Sequence, residues 1–145
     1  MRTLLICLLC AGLSCAAFAS DDPYADPDWG YSFNDPHYIP DAAPTALHAF
    51  YDEMVPMLEA RKSSESAYLR EYAEALFQAS RDVPGSLDNG TYHQRLHYNR
   101  AARSLRHNCK QLRELAHGGS TQALYQEMRE IEADFVRLAN LADSR

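Results

Sequence analysis

The sequence predicts an all-α protein, an antiparallel up-down four-helix bundle that follows a signal peptide and an irregular acidic arm. Apolar residues recur at helical spacing in four segments between residues 44 and 145, and turn signals separate most of these segments. The length of 145 residues fits one globular domain. Each segment has one apolar stripe that it cannot bury alone, so four such helices packed side by side would share a single core.

Residues 1–19 have the three-part layout of a secretory signal peptide. A single cation, Arg2, precedes an apolar run over residues 4–13, and an A-x-A pattern of small residues ends at Ala19. We therefore expect export to the periplasm or the cell exterior, with cleavage near Ala19. Cleavage would leave Cys109 as the only cysteine, so packing rather than an intramolecular disulfide would hold the fold.

Residues 20–43 form the predicted arm. Its first 22 residues, 20–41, contain six acidic residues, four prolines and neither Lys nor Arg. This proline spacing excludes a regular helix. Aromatic side chains bury well at protein interfaces, so we expect the arm to dock on the bundle or on a partner. Its predicted partner-binding residues are Trp29, Tyr31, Phe33 and Tyr38.

The first two helices are predicted within residues 45–82. The first stripe consists of Leu47, Phe50, Tyr51, Met54 and Leu58. The second consists of Tyr68, Leu69, Tyr72, Leu76 and Ala79. Pro56 falls on the solvent side of the first helix, where a kink is tolerated. The turn between the two helices is predicted at Arg61–Ser64. Neither Gly nor Pro enforces this turn, so one long kinked helix over residues 45–82 is the alternative.

A clear break at Val83–Ser86, extended by Asn89-Gly90, precedes the third helix. The stripe of that helix consists of Tyr98, Ala102, Leu105, Cys109, Leu112 and Ala116. Gly118-Gly119 then predicts its end. Either Ser120 or Thr121 can cap the fourth helix, whose stripe consists of Leu124, Met128, Ile131, Phe135, Leu138 and Ala142.

This helix layout resembles that of cytochrome c-prime and of the soluble b-type periplasmic cytochromes. The resemblance covers the layout only, because the fourth helix has neither a Cys-x-x-Cys-His motif nor any histidine. Met54 is available as one axial haem ligand, but it belongs to the apolar stripe of the first helix. We therefore predict no cofactor.

Three histidines of the third helix are the candidate metal ligands. His93 and His97 have the i, i+4 spacing of a metal-binding pair, and His107 lies on the same side of the helical wheel. That side is directed to solvent, and Arg100 beside the pair opposes a divalent cation. We expect adventitious metal binding there rather than a dedicated site.

Charge is distributed unevenly along the chain. Residues 86–119 hold six cations against two acids, whereas the whole chain has a formal net charge of −6. The candidate partner-binding cations are Arg100, Arg103 and Arg106. The net acidic balance argues against a general nucleic-acid binder, and no apolar run beyond the first twenty residues is long enough to span a membrane.

No residue pattern predicts a catalytic site. The sequence lacks a Ser-His-Asp set, a phosphate-binding glycine loop and paired carboxylates directed into one cleft. We therefore predict an exported, non-enzymatic helical-bundle protein that acts through contact with an unidentified partner protein, in an accessory or adaptor role. The alternative is a periplasmic metal-binding or haem-binding bundle.

Overall fold

The computed structural model describes residues 39–143. The predicted signal peptide and most of the arm lie outside the described residues, and so do Trp29, Tyr31, Phe33 and Tyr38. Residues 39–143 form four α-helices and contain no β-strand, which confirms the predicted all-α class. The helices are α1 (Thr45–Lys62), α2 (Ser66–Asp82), α3 (Tyr92–Ala116) and α4 (Thr121–Asp143).

A tight turn separates α1 from α2, so residues 45–82 form two helices rather than one. The Ser63 N–H donates to the Glu59 carbonyl at 2.9 Å and closes the last turn of α1. Ser64 then adopts a left-handed conformation with φ of 63°, which reverses the chain. Pro56 lies inside α1 and is exposed, on the outer side predicted for it.

Side-chain caps define where α3 and α4 begin. Thr91 and Gln94 form a capping box, in which the Thr91 hydroxyl accepts from the Gln94 N–H at 3.2 Å and the Gln94 side chain accepts from the Thr91 N–H at 2.8 Å. The Ser120 hydroxyl accepts from the Ala123 N–H at 3.1 Å at the start of α4. These caps satisfy backbone N–H groups in the first turns of α3 and α4.

The apolar stripes of the four helices form one core. Consecutive helices contact each other, and α4 also contacts α1 and α2. The Phe135 ring of α4 stacks against Phe50 and Tyr51 of α1, with ring centroids 6.0 and 5.5 Å apart. Met54, the candidate haem ligand, is fully buried in this core. No helix within the described residues has the length and apolar character needed to cross a membrane.

The predicted stripe of α2 is wrong at Tyr72. The buried line of this helix runs through Leu69, Ala73, Leu76 and Ser80. Tyr72 is 38% exposed, and Tyr68 is only half-buried. Since neighbouring residues of a helix differ by about 100° in direction, the line through residue 69 turns both tyrosines towards the edge of the packed face.

Candidate interaction surface

The outer side of α3 carries a row of basic residues, here called the basic stripe. All of its members are exposed: His93, Arg100, Arg103, His107 and Lys110. The opposite side of α3 is buried against the other helices, so the stripe necessarily faces solvent. At 1.5 Å per residue, it extends for about 25 Å along the helix axis.

Two of the six α3 cations do not belong to this surface because they are directed to α2. Arg106 Nε donates to the Ser80 carbonyl at 3.3 Å, and its Nη2 donates to the Val83 carbonyl. The Arg113 guanidinium lies 4.0 Å from the centre of the Phe77 ring. Arg106 was a predicted partner-binding residue, but its guanidinium instead joins α3 to the end of α2.

Arg100 and Arg103 are the least neutralised part of the stripe. Within residues 39–143, neither has a carboxylate at ion-pair distance. The Nζ of Lys110, about two turns after Arg103, lies 3.6 Å from the Glu114 carboxylate. His107 also has an acidic neighbour, Glu127 of α4: burial raises the pKa of Glu127, and the nearby His107 opposes that rise.

The structure does not bring the three predicted metal ligands together. His93 is exposed and makes an edge contact with the Tyr92 ring, with centroids 5.8 Å apart, whereas His97 is half-buried. His107 follows His97 by ten residues, which is about 15 Å along a helix axis, so the three imidazoles cannot share one ion. In the described part of the chain, no group of three or more His, Cys, Asp or Glu residues is placed to hold a metal.

The position of α3 is fixed by a second arginine that the sequence analysis missed. Arg70 of α2 donates to the carbonyls of Leu115, Ala116 and Gly119, at 3.2, 3.0 and 2.7 Å. The Leu115 and Ala116 carbonyls belong to the last turn of α3, and the Gly119 carbonyl follows it. The Leu115 carbonyl also accepts from the Gly118 and Gly119 N–H groups. Arg70 therefore caps α3, and Arg106 caps α2 in return.

A buried polar contact joins α3 to α4. Asp134 is only 4% exposed, and its carboxylate accepts from the Asn108 side-chain amide at 2.9 Å. Burial raises the pKa of this carboxyl, while hydrogen bonds from Ser104 and Asn108 and the nearby Arg137 oppose the rise. Asp134 precedes Phe135 of the apolar stripe, and only that adjacency in the sequence hinted at its burial.

Cys109 is a core residue, as the stripe predicted. Its side chain is fully buried. Burial raises the pKa of the thiol far above its usual range, so the thiolate required of a nucleophile is strongly disfavoured.

Comparisons of the chain with protein-family models, with curated proteins and with solved structures gave no match.

Proposed function

We propose that this chain is an exported, non-enzymatic helical bundle that acts by contact with a partner protein, and that the basic stripe is its contact surface. The observation that carries the proposal is the pair Arg100 and Arg103, which is exposed and free of ion pairs within the described residues although the whole chain has a net charge of −6. Exposed guanidinium groups bind carboxylates through paired hydrogen bonds. The expected partner surface is therefore acidic.

An acidic protein surface fits the stripe better than a long polyanion does. The stripe is one helix wide, and α4 beside it places Glu127 and Glu130 near its C-terminal half. A nucleic acid would meet repulsion from these carboxylates and from the net negative charge of the chain. A short acidic helix or loop can contact the arginines without approaching α4.

The arrangement that supports this surface is an antiparallel up-down bundle, which we include in the proposal. Arg70, near the start of α2, reaches the end of α3, and Arg106 reaches the end of α2. Both contacts favour antiparallel packing of α2 on α3. Spin labels at residues 67 and 117 should then lie closer together than labels at residues 67 and 93, by about 30 Å. A longer distance between labels at 67 and 117 than between labels at 67 and 93 would refute the antiparallel topology.

Site-specific crosslinking tests whether the stripe contacts a partner. A photoreactive amino acid replaces Lys110, and in a control variant it replaces Asp52, an exposed residue of α1. Helices α1 and α3 share no contact within the described residues, so the two probes sample different faces. We expect illumination in the native host to give a discrete adduct with one acidic protein from position 110 and none from position 52. The same adducts from both positions would refute the proposal.

A charge-matched pair of variants tests the chemistry of that contact. R100Q/R103Q removes two cations from the stripe, and R81Q/R129Q removes two exposed cations elsewhere. We expect the first variant to lose the adduct formed by a probe placed at Lys110, and the second to keep it. Raising the salt concentration should weaken capture by the wild-type chain, because exposed charges are screened. Equal losses in both variants would mean that net charge, rather than the stripe, controls binding.

A further inference from the structure

Two tyrosines stack on the outer side of α2. The Tyr68 and Tyr72 rings lie with centroids 4.3 Å apart and an interplanar angle of 22°. Burial raises the pKa of the Tyr68 hydroxyl, and so do Tyr72 and the carboxylates of Glu53 on α1 and Glu71 on α2. Both glutamates are exposed. Glu71 lies three residues after Tyr68 and therefore about one turn from it on the same helix. We call the stacked rings, Glu71 and the nearby Glu53 the tyrosine site.

No cation of the described residues lies over either tyrosine ring. Arg70 stands between the two tyrosines in the sequence, but its guanidinium is directed to the carbonyls at the end of α3. An aromatic face beside a carboxylate attracts a cation through both the ring quadrupole and the negative charge. The tyrosine site has both features.

The other side of α2 already binds a guanidinium with the same two groups. Arg113 of α3 lies 4.0 Å above the Phe77 ring, and its Nη1 lies 3.7 Å from the Glu74 carboxylate. This helix thus accommodates an arginine between an aromatic face and a glutamate. A tyrosine ring attracts a cation at least as well as a phenylalanine ring.

We propose that the tyrosine site binds an arginine side chain of a partner protein, by stacking of the guanidinium on Tyr72 and ion pairing with Glu53 and Glu71. The inference rests on the proposed function in that the chain works by protein contact, but it concerns a different face. The tyrosine site lies on α1 and α2, and α1 shares no contact with α3 within the described residues. The chain would therefore have one face for an acidic partner segment and another for a basic one.

A peptide titration followed by ¹H–¹⁵N NMR tests the proposal on the purified full chain. The probe is the pentapeptide Gly-Arg-Gly-Arg-Gly, and the control peptide has Glu in place of Arg. We expect saturable shifts at Tyr68, Tyr72, Glu53 and Glu71 with the arginine peptide, in the millimolar range set by a few exposed contacts, and none there with the control. Shifts confined to other residues, or no saturation, would overturn it.

Matched variants separate the role of the ring from that of the charge. Y72L keeps an apolar side chain but removes the ring, and we expect it to weaken peptide binding by about fivefold. Y92L changes a more exposed tyrosine outside the site, with 70% of its surface accessible against 38% for Tyr72, and should leave affinity unchanged within about twofold. E53Q/E71Q should also weaken binding and reduce its dependence on salt.

Two outcomes would contradict the assignment. Equal affinities in Y72L and Y92L would remove the tyrosine ring from the site. Self-association of the chain that depends on Tyr72 would show that a second copy, not a separate partner, occupies it. Because crosslinking at position 110 reports on α3 alone, its failure would not affect this titration, and the proposed contact of the basic stripe can be judged independently.

Discussion

The arginine cap on α3 leads to a quantitative prediction about stability. Replacing Arg70 with Ala removes three donor contacts to the carbonyls of Leu115, Ala116 and Gly119, at 2.7 to 3.2 Å. A hydrogen bond from a charged donor contributes about 1.5 kcal/mol or more. Interaction of the cation with the helix dipole adds about 0.5 kcal/mol.

These contributions do not add fully. Two of the bonds share one nitrogen of Arg70, and the side chain is half-buried, so water can reach the carbonyls in the variant. We therefore expect R70A to lower the free energy of unfolding by about 2 to 3 kcal/mol. For a domain of this size, the midpoint of thermal unfolding should fall by about 10 °C. R70K keeps the charge without the forked geometry and should show about half the loss.

Urea unfolding followed by circular dichroism at 222 nm measures this change. The control is R81A, because Arg81 is an exposed cation of the same helix whose guanidinium contacts only Gln78 among the described hydrogen bonds, at 3.3 Å. We expect R81A to cost less than about 0.5 kcal/mol. A loss in R70A no larger than that in R81A, with an unchanged dependence on urea, would refute the stabilising role of the cap.

Three further predictions concern the turn after α3, the core and the α3–α4 contact. G119A should destabilise the fold by about 1 kcal/mol or more, and G118A should not. A Cβ at Gly119 would lie 2.9 Å from the Leu115 carbonyl oxygen, whereas a Cβ at Gly118 would meet nothing within 4 Å. Equal unfolding midpoints of the two variants would contradict this close approach. The Cys109 thiol should react with a thiol reagent at pH 8 only as fast as the protein unfolds, and rapid labelling of the folded protein would contradict its burial. For Asp134, the pKa in the folded state is raised above that in the unfolded chain, so stability falls as pH rises from about 4 through the raised value. D134N should therefore gain stability relative to wild type between pH 4 and pH 7 in urea titrations. A difference in unfolding free energy that stays constant over this pH range would contradict this reasoning.

The helices of this protein were predictable from sequence because their apolar residues keep a regular period. The four helices, the turn near Ser63 and the end of α3 before Gly118 all follow from local patterns, and the structure has them. Local patterns succeed here because each helix buries one side only, so polar residues mark the other side. The exposure of Arg100 and Arg103 followed from the same reasoning.

The contacts made by long or isolated polar side chains were not predictable. The charge distribution makes Arg106 a partner-binding candidate, although its guanidinium reaches the carbonyls of Ser80 and Val83. An arginine extends far from its backbone, so its partner depends on which helix end lies nearby in three dimensions. Asp134 is buried for a related reason, since Asn108 lies across the helix interface and supplies the donor that its carboxylate requires.

The reciprocal capping of α2 and α3 by Arg106 and Arg70 affects which substitutions the protein can accept. Apolar stripes with a repeating period permit neighbouring alignments of similar energy, since a shift by two turns brings one apolar side chain near the place of another. Arg70 and Arg106 have no such equivalents, because each needs the carbonyls in the last turn of a neighbouring helix and in the residues that follow it. Evolutionary drift among leucine, isoleucine and methionine inside the protein would therefore be tolerated as long as these two guanidinium groups keep a single alignment of the helices.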